Sequence, residues 1–365
     1  MLLTRRSAIS ALSVAALATL AACGSDAGGS SSSSSSSTDS VASATDLTGQ
    51  IKGAGASSQG DAQDAWMNGF LAANSGASVE YAAEGSGAGR EKFIAGAVDF
   101  AGSDSSMSEE ELAKVDAVIE VPLYISPIAV AYNVPGFTGE THINMTPDTI
   151  AKVFSGAITK WNDAAIAADN EGAELPDLDI VVVHRSDESG TTKNFTKYLG
   201  KVAADVWTYE AEETWPIEGG QSGDGTSGMI ATIKGAEGAI GYADASKVTD
   251  ELGTVAVGAN GSFSPYSAEA AAATLDASEL SDKATDTQIV YDINYTAEGA
   301  YPIILVSYLI AHQKYDDADI AATVKGYLEY AASEEGQTAA SEAAGSAPIS
   351  DGLREKVLAA VGTIA

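Results

Sequence analysis

Short apolar runs rich in β-branched residues alternate with helical stretches from about residue 50 onward. Strands are predicted at Val79–Ala82, Val98–Ala101, Val121–Val134 and Leu178–His184, and helices at Arg90–Ala97, Thr191–Leu199, Thr226–Lys234, Asp316–Ala332 and Leu353–Val361. Strands that alternate with helices in this way predict an α/β fold.

Three stretches carry more detailed structural predictions. Thr146-Pro147-Asp148 predicts a helix start, because threonine caps a helix, proline fits the first turn and aspartate suits the positive helix end. Leu178–His184 is a continuous apolar run, which is typical of a strand buried on both faces of a parallel sheet. We expect the last hundred residues to be mostly helical.

The N-terminus has the pattern of an export signal. An arginine pair at positions 5 and 6 precedes an apolar stretch that ends in Leu-Ala-Ala-Cys at residues 20–23. This ending resembles a bacterial lipobox, in which the cysteine receives lipid and becomes the mature N-terminus. The stretch is too short for a spanning helix. We expect residues 1–23 to be a lipoprotein signal peptide and Cys23 the lipidation site. The alternatives are an ordinary signal peptide with a chance cysteine and, from the arginine pair, twin-arginine export.

Residues 24–48 consist mainly of Gly, Ser, Ala and Asp, with an unbroken serine run from Ser30 to Ser37. The segment has no apolar periodicity, so it cannot build a core. A flexible coil of about 25 residues spans about 25–30 Å on average. We therefore predict a disordered tether that holds a folded domain off a membrane.

Composition excludes several kinds of partner. The chain carries 19 Lys and Arg against 51 Asp and Glu, a formal net charge of −32. This argues against a nucleic-acid partner and against electrostatic adhesion to an anionic bilayer. The single cysteine allows no intramolecular disulfide, and three unclustered histidines give no zinc spacing. We expect no metal and no cofactor.

Three loops that follow predicted strands have ligand-binding character. The first, residues 52–58, contains small residues that let the backbone approach a ligand, and the helix after it offers N–H donors. The second, Gly85–Gly89, fits neither the dinucleotide fingerprint nor the Walker loop. The third ends in Asp104, which could bind a ligand, cap the next helix or be solvated. A structural turn explains each of the first two loops equally well on its own.

The segment His184–Thr192 carries the strongest signal. A predicted buried strand delivers Arg185 at its carboxyl end, where ligands of open α/β sheets bind. An arginine offers two parallel donors to an oxyanion. Asp187 can hold that guanidinium in place, and Ser189 and Thr191 add hydroxyl donors. A surface ion pair beside a helix cap is the alternative.

Together, these segments resemble the phosphate-specific substrate-binding proteins of bacterial ABC importers, a periplasmic-binding-protein-like family. The resemblance runs from about residue 50 to the end of the chain. The matching stretches are GAGASS, YAAEGSGAGREKFIAGAVDFAGSD, VPLYISPIAVAYNVPG, VVVHRSDESGTTKNFTKYL, KGAEGAIGYAD and YPIILVSYLIAHQK.

The resemblance implies a two-lobed α/β fold with extended hinge crossovers, at Tyr124–Tyr132 and Ala239–Asp244. Lobe 1 would comprise residues 49–126 and 243–365, and lobe 2 residues 127–242. The protein would bind and not catalyse. It would be an extracytoplasmic monomer, anchored to the outer face of the cell membrane through lipid on Cys23, that delivers inorganic phosphate to the permease subunits of an ABC importer.

The family's ligand contacts map onto eight residues, with Asp187 in a supporting role. Helix N-termini after Ser58, Gly87 and Ser189 would point amides at the anion. The first loop departs from the family pattern, since two serines stand where the family often has threonine and an aromatic residue. An ionised aspartate only accepts hydrogen bonds, so Asp104 would accept a proton from phosphate and repel sulfate, which carries none. The eight residues are Ser57, Ser58, Ser86, Asp104, Arg185, Ser189, Gly190 and Thr191.

Three alternative functions stay open at this point. The first is a binding protein for another oxyanion, such as molybdate, sulfate or a phosphonate. The second is a secreted hydrolase, although the chain has no G-x-S-x-G elbow and no S-x-x-K, and His184 is interpreted as a packing residue. The third is a sensor or adhesin that keeps the binding fold without serving a transporter.

Overall fold

The computed structural model describes residues 47–139 and 141–365. The predicted signal peptide, Cys23 and the tether up to residue 46 lie outside the described residues. The strands, in chain order, are β1 (Gln50–Gly55), β2 (Ser78–Ala83), β3 (Phe100–Ser103), β4 (Val118–Tyr132), β5 (Ile143–Met145), β6 (Val181–Arg185), β7 (Gln221–Gly223), β8 (Ala239–Asp244), β9 (Gly253–Ala259), β10 (Ser262–Ser264), β11 (Glu279–Leu280), β12 (Tyr291–Asp292) and β13 (Ile304–His312).

Helices separate most of these strands. Along the part of the chain that the structure describes, no helix is both long enough and apolar enough to span a membrane. The helices are α1 (Gly60–Ala73), α2 (Ser86–Ile94), α3 (Glu109–Leu112), α4 (Pro147–Phe154), α5 (Ala164–Asp169), α6 (Gly190–Val202), α7 (Gly225–Gly235), α8 (Ala268–Asp276), α9 (Ala318–Ala332), α10 (Glu334–Ala344) and α11 (Asp351–Val361), with single 3₁₀ turns at Ser57–Gln59 and Ala245–Lys247.

One continuous sheet runs through the molecule in the order β2-β1-β3-β13-β4-β8-β6-β7, and β9 branches from β4 to pair with β5 and β10. Strand β1 is parallel to both β2 and β3, and β6 is parallel to both β7 and β8. The strands between these two groups are antiparallel. The parallel groups at the two ends are the parts that carry the helices α1, α2, α6 and α7.

The buried apolar side chains form two separate cores, which define two lobes. The first core draws on residues 51–125 and 271–364. The second draws on residues 128–257 together with Tyr301, Ile303 and Leu305.

Strand β4 connects the two lobes and is buried along its whole length. Its residues 118–127 pair with β13 on the first core, and residues 128–132 pair with β8 on the second. The switch of partner falls between Pro127 and Ile128, at the position where the side chains change core. The predicted extended segment Val121–Val134 therefore corresponds to a strand shared by both lobes.

The α/β architecture with two lobes is confirmed, and most predicted elements lie within a few residues of those observed. Thr146 caps α4 as predicted, with its hydroxyl accepting from the Thr149 amide at 3.2 Å. Helix α2 begins four residues earlier than predicted, because Gly85 adopts a φ of 102° and turns the chain directly into the helix. Ser86 is thus the first residue of that helix.

Two structural predictions were wrong. Leu178–His184 is not buried on both faces: in β6 only Val183 and Arg185 are buried, because the strand is next to the three-residue edge strand β7. The last hundred residues are not mostly helical, since β13 crosses them as a nine-residue buried strand between β3 and β4. An apolar run of that length fits a strand or a buried helix equally well.

Some residues pack in a different part of the molecule from the segment that was predicted for them. Leu47, assigned to the tether, packs against the first core, and the Gly49 amide donates to the Thr323 hydroxyl at 3.1 Å. Leu252 and Val255, assigned to the first lobe, lie in the second core because β9 pairs with β4 and β5. The second lobe thus extends beyond residue 242.

Candidate functional site

Three loops meet at one edge of the first lobe. Because β2, β1 and β3 are parallel neighbours, their carboxyl ends lie side by side, and each strand is followed by a loop with candidate residues. The loops are close: the Ala56 amide donates to the Gly102 carbonyl at 2.8 Å. Gly55 has a φ of 144°, and a Cβ there would overlap the Gly102 carbonyl oxygen, so only glycine fits.

Asp104 is the centre of this cluster and is only 3% exposed. Its Oδ1 accepts the Ser58 hydroxyl at 2.7 Å, and its Oδ2 accepts the Thr191 hydroxyl, from the other lobe, at 2.8 Å. Its backbone amide donates to the Ser86 hydroxyl at 3.1 Å. Asp104 is not a helix cap, because the next helix, α3, is capped by Ser108.

Arg185 reaches the same place from the second lobe. It ends β6, is 3% exposed, and its Nη2 donates to the Ser57 hydroxyl at 3.2 Å. The predicted pairing with Asp187 is present: Nε donates to Asp187 Oδ1 at 2.6 Å, and Nη2 donates to the second carboxylate oxygen. The carboxylate therefore fixes the plane of the guanidinium.

The N-terminus of α6 presses directly against the first lobe. Ser189 caps the helix, since its hydroxyl accepts from the Thr192 amide at 3.3 Å, and its hydroxyl proton stays available to another acceptor. A Cβ on Gly190 would lie 2.7 Å from both Asp104 Cβ and Ser86 Oγ. The absence of a side chain at Gly190 thus allows the two lobes to approach, and the first-turn amides, which have no acceptor within the helix, lie at the site.

The sequence analysis did not identify several residues of the site. Thr226, in the first turn of α7, donates its amide to the Ser57 hydroxyl at 3.1 Å, and the Gly225 amide donates to Asp187 Oδ1 at 3.1 Å. The preceding Gly-Asp-Gly-Thr run at residues 223–226, a glycine-rich strand-to-helix turn, was a usable signal.

Ser307 was also missed. Its hydroxyl donates to Asp104 Oδ1 at 2.6 Å, and it accepts from Gln59 Nε2 at 2.6 Å. Ser307 is the one polar residue in the apolar run Ile304–Ile310 apart from the Tyr308 hydroxyl. A lone hydroxyl in such a run was the available signal.

A third missed group is a buried ion-pair cluster between the lobes. Arg90, on α2, donates Nη1 toward Glu213 Oε1 at 2.9 Å and Nε to Glu111 Oε1 at 2.9 Å. Glu213 Oε1 also accepts the Ser105 hydroxyl at 2.7 Å, and the Glu213 carbonyl accepts the Ser189 amide at 3.0 Å. Glu213 therefore joins the first lobe to the cap of α6.

The electrostatics of the two carboxylates differ. Burial raises the pKa of Asp104 above its ordinary value, against the opposing effect of the hydroxyls of Ser307, Ser58 and Thr191 and the charge of Arg185. Burial acts in the same direction on Asp187, but the hydrogen bonds and charge of Arg185 outweigh it and leave the pKa of Asp187 lowered. Asp187 thus stays ionised as the partner of Arg185.

All eight predicted contact residues lie in this one cluster, in contact with each other or adjacent in the chain. Three helices, α1, α2 and α6, begin at the cluster as expected, although α2 begins at Ser86 rather than after Gly87. His184 is not part of it: its ring stacks on Trp215 and both ring nitrogens face backbone carbonyls, of Arg185 and Gly219. Among the residues that the structure describes, no serine hydroxyl is paired with that imidazole.

Two α/β lobes joined by shared strands, with buried polar groups of both lobes meeting between them, define a two-lobed ligand-binding protein. In agreement, the family model described as the PBP superfamily domain matches residues 40–335. The chain is 34% identical over 291 residues to phosphate-binding protein PstS 3 of Mycobacterium leprae, covering 76% of this chain and 78% of that protein. It is 34% identical over 275 residues to phosphate-binding protein PstS of Xylella fastidiosa, covering 74% and 73%. The chain belongs to the PBP superfamily, with PstS phosphate-binding proteins among its relatives.

Solved structures share the fold. A phosphate binding protein from Stenotrophomonas maltophilia superposes with a TM-score of 0.67 at 22% identity, covering 85% of this chain and 93% of that one. The periplasmic phosphate-binding protein PfluDING, solved with phosphate, gives a TM-score of 0.68 at 23% identity, covering 84% and 92%.

Proposed function

We propose that the chain captures inorganic phosphate between its two lobes and delivers it to an ABC importer. Its relatives are named phosphate-binding proteins. These names describe binding proteins and not enzymes. The proposed ligand contacts are Ser57, Ser58, Ser86, Asp104, Arg185, Ser189, Gly190 and Thr191, with Asp187 holding the guanidinium.

One observation supports phosphate over sulfate: the buried carboxylate of Asp104 stands among hydrogen-bond donors, whereas the other carboxylate of the site, Asp187, is paired with Arg185. Arg185, the serine and threonine hydroxyls and the helix amides would stabilise the charge of an anion. Asp104 would repel that anion unless the anion donates a proton to it. Phosphate near neutral pH carries at least one proton and sulfate carries none, and a site of this kind rejects the wrong ligand by about 10⁴-fold.

The test is equilibrium dialysis of labelled phosphate against protein that lacks residues 1–23. We expect one phosphate per chain, displaced by unlabelled phosphate and not by sulfate. A thermal-shift panel with molybdate, sulfate and phosphonates separates the other oxyanion binders, because only the true ligand would raise the unfolding temperature at low concentration. Release of product from a chromogenic phosphate ester would favour the hydrolase and contradict the proposal.

Cellular placement is part of the proposal. Residues 1–22 would be removed, Cys23 would become the mature N-terminus and carry the lipid, and residues up to 46 would tether a monomeric folded part, beginning at Leu47, outside the cell membrane. We place the first lobe at residues 47–126 and about 266–365, and the second at 127–265, because β9 packs in the second core.

Labelled palmitate should enter the unsubstituted protein and not Cys23→Ala. Loss of phosphate uptake on deletion of the chain separates an importer component from a sensor or adhesin.

A further inference from the structure

A cavity adjoins the proposed phosphate site, with Asp104 belonging to both. It has a volume of about 240 Å³, and its lining includes Asp104 and Lys283. Asp104 is 3% exposed, whereas the Lys283 side chain is 73% exposed. The cavity therefore adjoins both the buried Asp104 and a lysine that is exposed to solvent.

Three lysines line this cavity: Lys193, Lys197 and Lys283. Lys193 and Lys197 are four residues apart on α6, so they lie on the same face of the helix that begins at the site. Lys283 comes from the loop before β12, in the other lobe. The lysines thus face the cavity from both lobes.

The lining holds three lysines against two carboxylates, Asp104 and Asp292. Lys283 Nζ also lies 3.1 Å from Glu109 Oε1, whose side chain is 83% exposed. Among the ion pairs of residues 47–139 and 141–365, none involves Lys193 or Lys197. Burial lowers the pKa of Lys197, Asp292 opposes this, and the charges of Lys201 and Lys193 add to it.

The location matters because the rest of the molecule repels anions. With 51 acidic against 19 basic residues, an approaching phosphate meets a negative surface in most directions. Clefts lined by one sign of charge focus the field and raise association rates by about 10- to 10³-fold. Three lysines collected at one opening would make the potential there less negative than over the rest of the surface, so that an anion is guided towards them.

We propose that Lys193, Lys197 and Lys283 form an anion-attracting entrance through which phosphate reaches Asp104 and Arg185. The inference rests on the proposed function. The lysines act on the approaching anion and not on the bound one, so they speed association and leave dissociation unchanged.

The test compares association rates of the triple variant K193Q/K197Q/K283Q with the unsubstituted protein, by stopped-flow tryptophan fluorescence on mixing with phosphate. The rates are measured at about 0.01 M and about 1 M salt, where the screening length is about 30 Å and about 3 Å. We expect association to fall about 10-fold at low salt and less than about twofold at high salt. The matched control neutralises three exposed lysines elsewhere, K114Q/K314Q/K356Q, and should change association less than about twofold.

Four outcomes overturn the inference: an unchanged association rate in the triple variant, an equal fall in the control, a fall that persists at high salt, or faster dissociation as the main effect. Absence of phosphate binding by the unsubstituted protein removes the proposed function and this inference with it, whereas binding with unchanged rates removes only this inference. If the triple variant does not fold, the single exposed substitution K283Q tests the same point, with an expected fall of about twofold at low salt.

Discussion

Asp104 is held by hydroxyl groups from three distant parts of the chain. Ser58, Ser307 and Thr191 donate to its two oxygens at 2.6–2.8 Å. Hydrogen bonds to a charged acceptor contribute about 1.5–3 kcal/mol each, and they stabilise the ionised form that burial disfavours. The carboxylate is thus kept in one orientation, with acceptor capacity left for a protonated ligand.

Asp104→Asn should weaken discrimination between phosphate and sulfate. The amide carries N–H donors that suit an unprotonated oxyanion, whereas the carboxylate has none. We expect the Kd for phosphate to rise about 10- to 100-fold, which corresponds to one charged hydrogen bond, and the preference over sulfate to fall by more than about tenfold. Competition of labelled phosphate with sulfate measures both. The exposed substitution Asp116→Asn is the control, and sulfate rejection that stays unchanged in Asp104→Asn would contradict the role of this carboxylate.

Glu120 is a buried acid outside the site. It lies on β4, is 1% exposed, and accepts the Met107 amide at 2.8 Å. Burial raises its pKa from 4.5 to about 7, although the Met107 hydrogen bond and Arg90 oppose the shift. Since the folded-state pKa is the higher one, the protonated acid stabilises the fold at low pH. That contribution is complete below pH 4.5 and is lost as the pH rises through about 7.

Glu120→Gln should therefore stabilise the protein at pH 8 and not at pH 4.5. Glutamine keeps the acceptor for the Met107 amide and cannot ionise. The pKa shift corresponds to about 3 kcal/mol in the free energy of unfolding, so the variant should exceed the unsubstituted protein by an amount of that order at pH 8. Urea unfolding at the two pH values gives the difference. A difference that is the same at both values would show that Glu120 does not titrate in this range.

At the scale of elements, α6 is one of the parts of the second lobe that meet the first. Its N-terminal residue, Gly190, faces Asp104, Ser86 and Ser105 at distances that leave no room for a methyl group. Gly200, near the other end of the same helix, would place a Cβ 3.9 Å from its nearest neighbours, an ordinary contact. Gly190 is therefore too closely enclosed for a side chain, whereas Gly200 has room for one.

Gly190→Ala should hinder the approach of the lobes. Overpacking of a tight contact costs about 1–3 kcal/mol, so we expect the Kd for phosphate to rise about 10- to 100-fold. Each lobe has its own core, and the thermal unfolding temperature without ligand should change little. Gly200→Ala, measured in parallel by equilibrium dialysis, should bind as the unsubstituted protein does. Equal effects of the two substitutions would contradict the steric explanation.

Some parts of the site could be predicted from the sequence, and others could not. Strand, small-residue loop and helix follow one another locally, so the loops with Ser58, Ser86 and Asp104 could be predicted, as could the Arg185 segment. Ser307, Glu213 and Thr226 could not be placed, because their role depends on pairing between segments far apart in the chain. Tertiary packing determines that β13 pairs with β3 and β4 and that β9 pairs with β5. A short apolar run does not indicate which strand it will pair with.

For the whole molecule, shared strands set how the lobes can move. Strand β4 belongs to both cores, and Tyr124 donates its hydroxyl to Asp244 Oδ1 at 3.0 Å next to the point where β4 changes partner. Continuous hydrogen-bonded strands allow bending at this point more readily than sliding. Opening would therefore separate the contacts on the far side, where Thr191 meets Asp104 and Arg90 meets Glu213.

The Arg90–Glu213 contact should act as a latch on the closed arrangement. The two side chains are 7% and 10% exposed, and the pair joins the lobes without belonging to the proposed ligand contacts. Removing one partner of a buried charge pair mainly raises the dissociation rate. In Glu213→Gln, Arg90 keeps Glu111 as a partner, so no buried charge is left unpaired.

We therefore expect Glu213→Gln to release phosphate about tenfold faster or more, with association changed by less than about twofold, because the latch forms only after the ligand has entered. Stopped-flow displacement measures the release rate. The neighbouring exposed substitution Glu212→Gln removes the same charge and should leave release unchanged. A double-mutant cycle with Arg90→Gln separates the pair from its surroundings: if the effects of the two substitutions simply add, the ion pair does not hold the lobes together, and closure depends on the other contacts between the lobes.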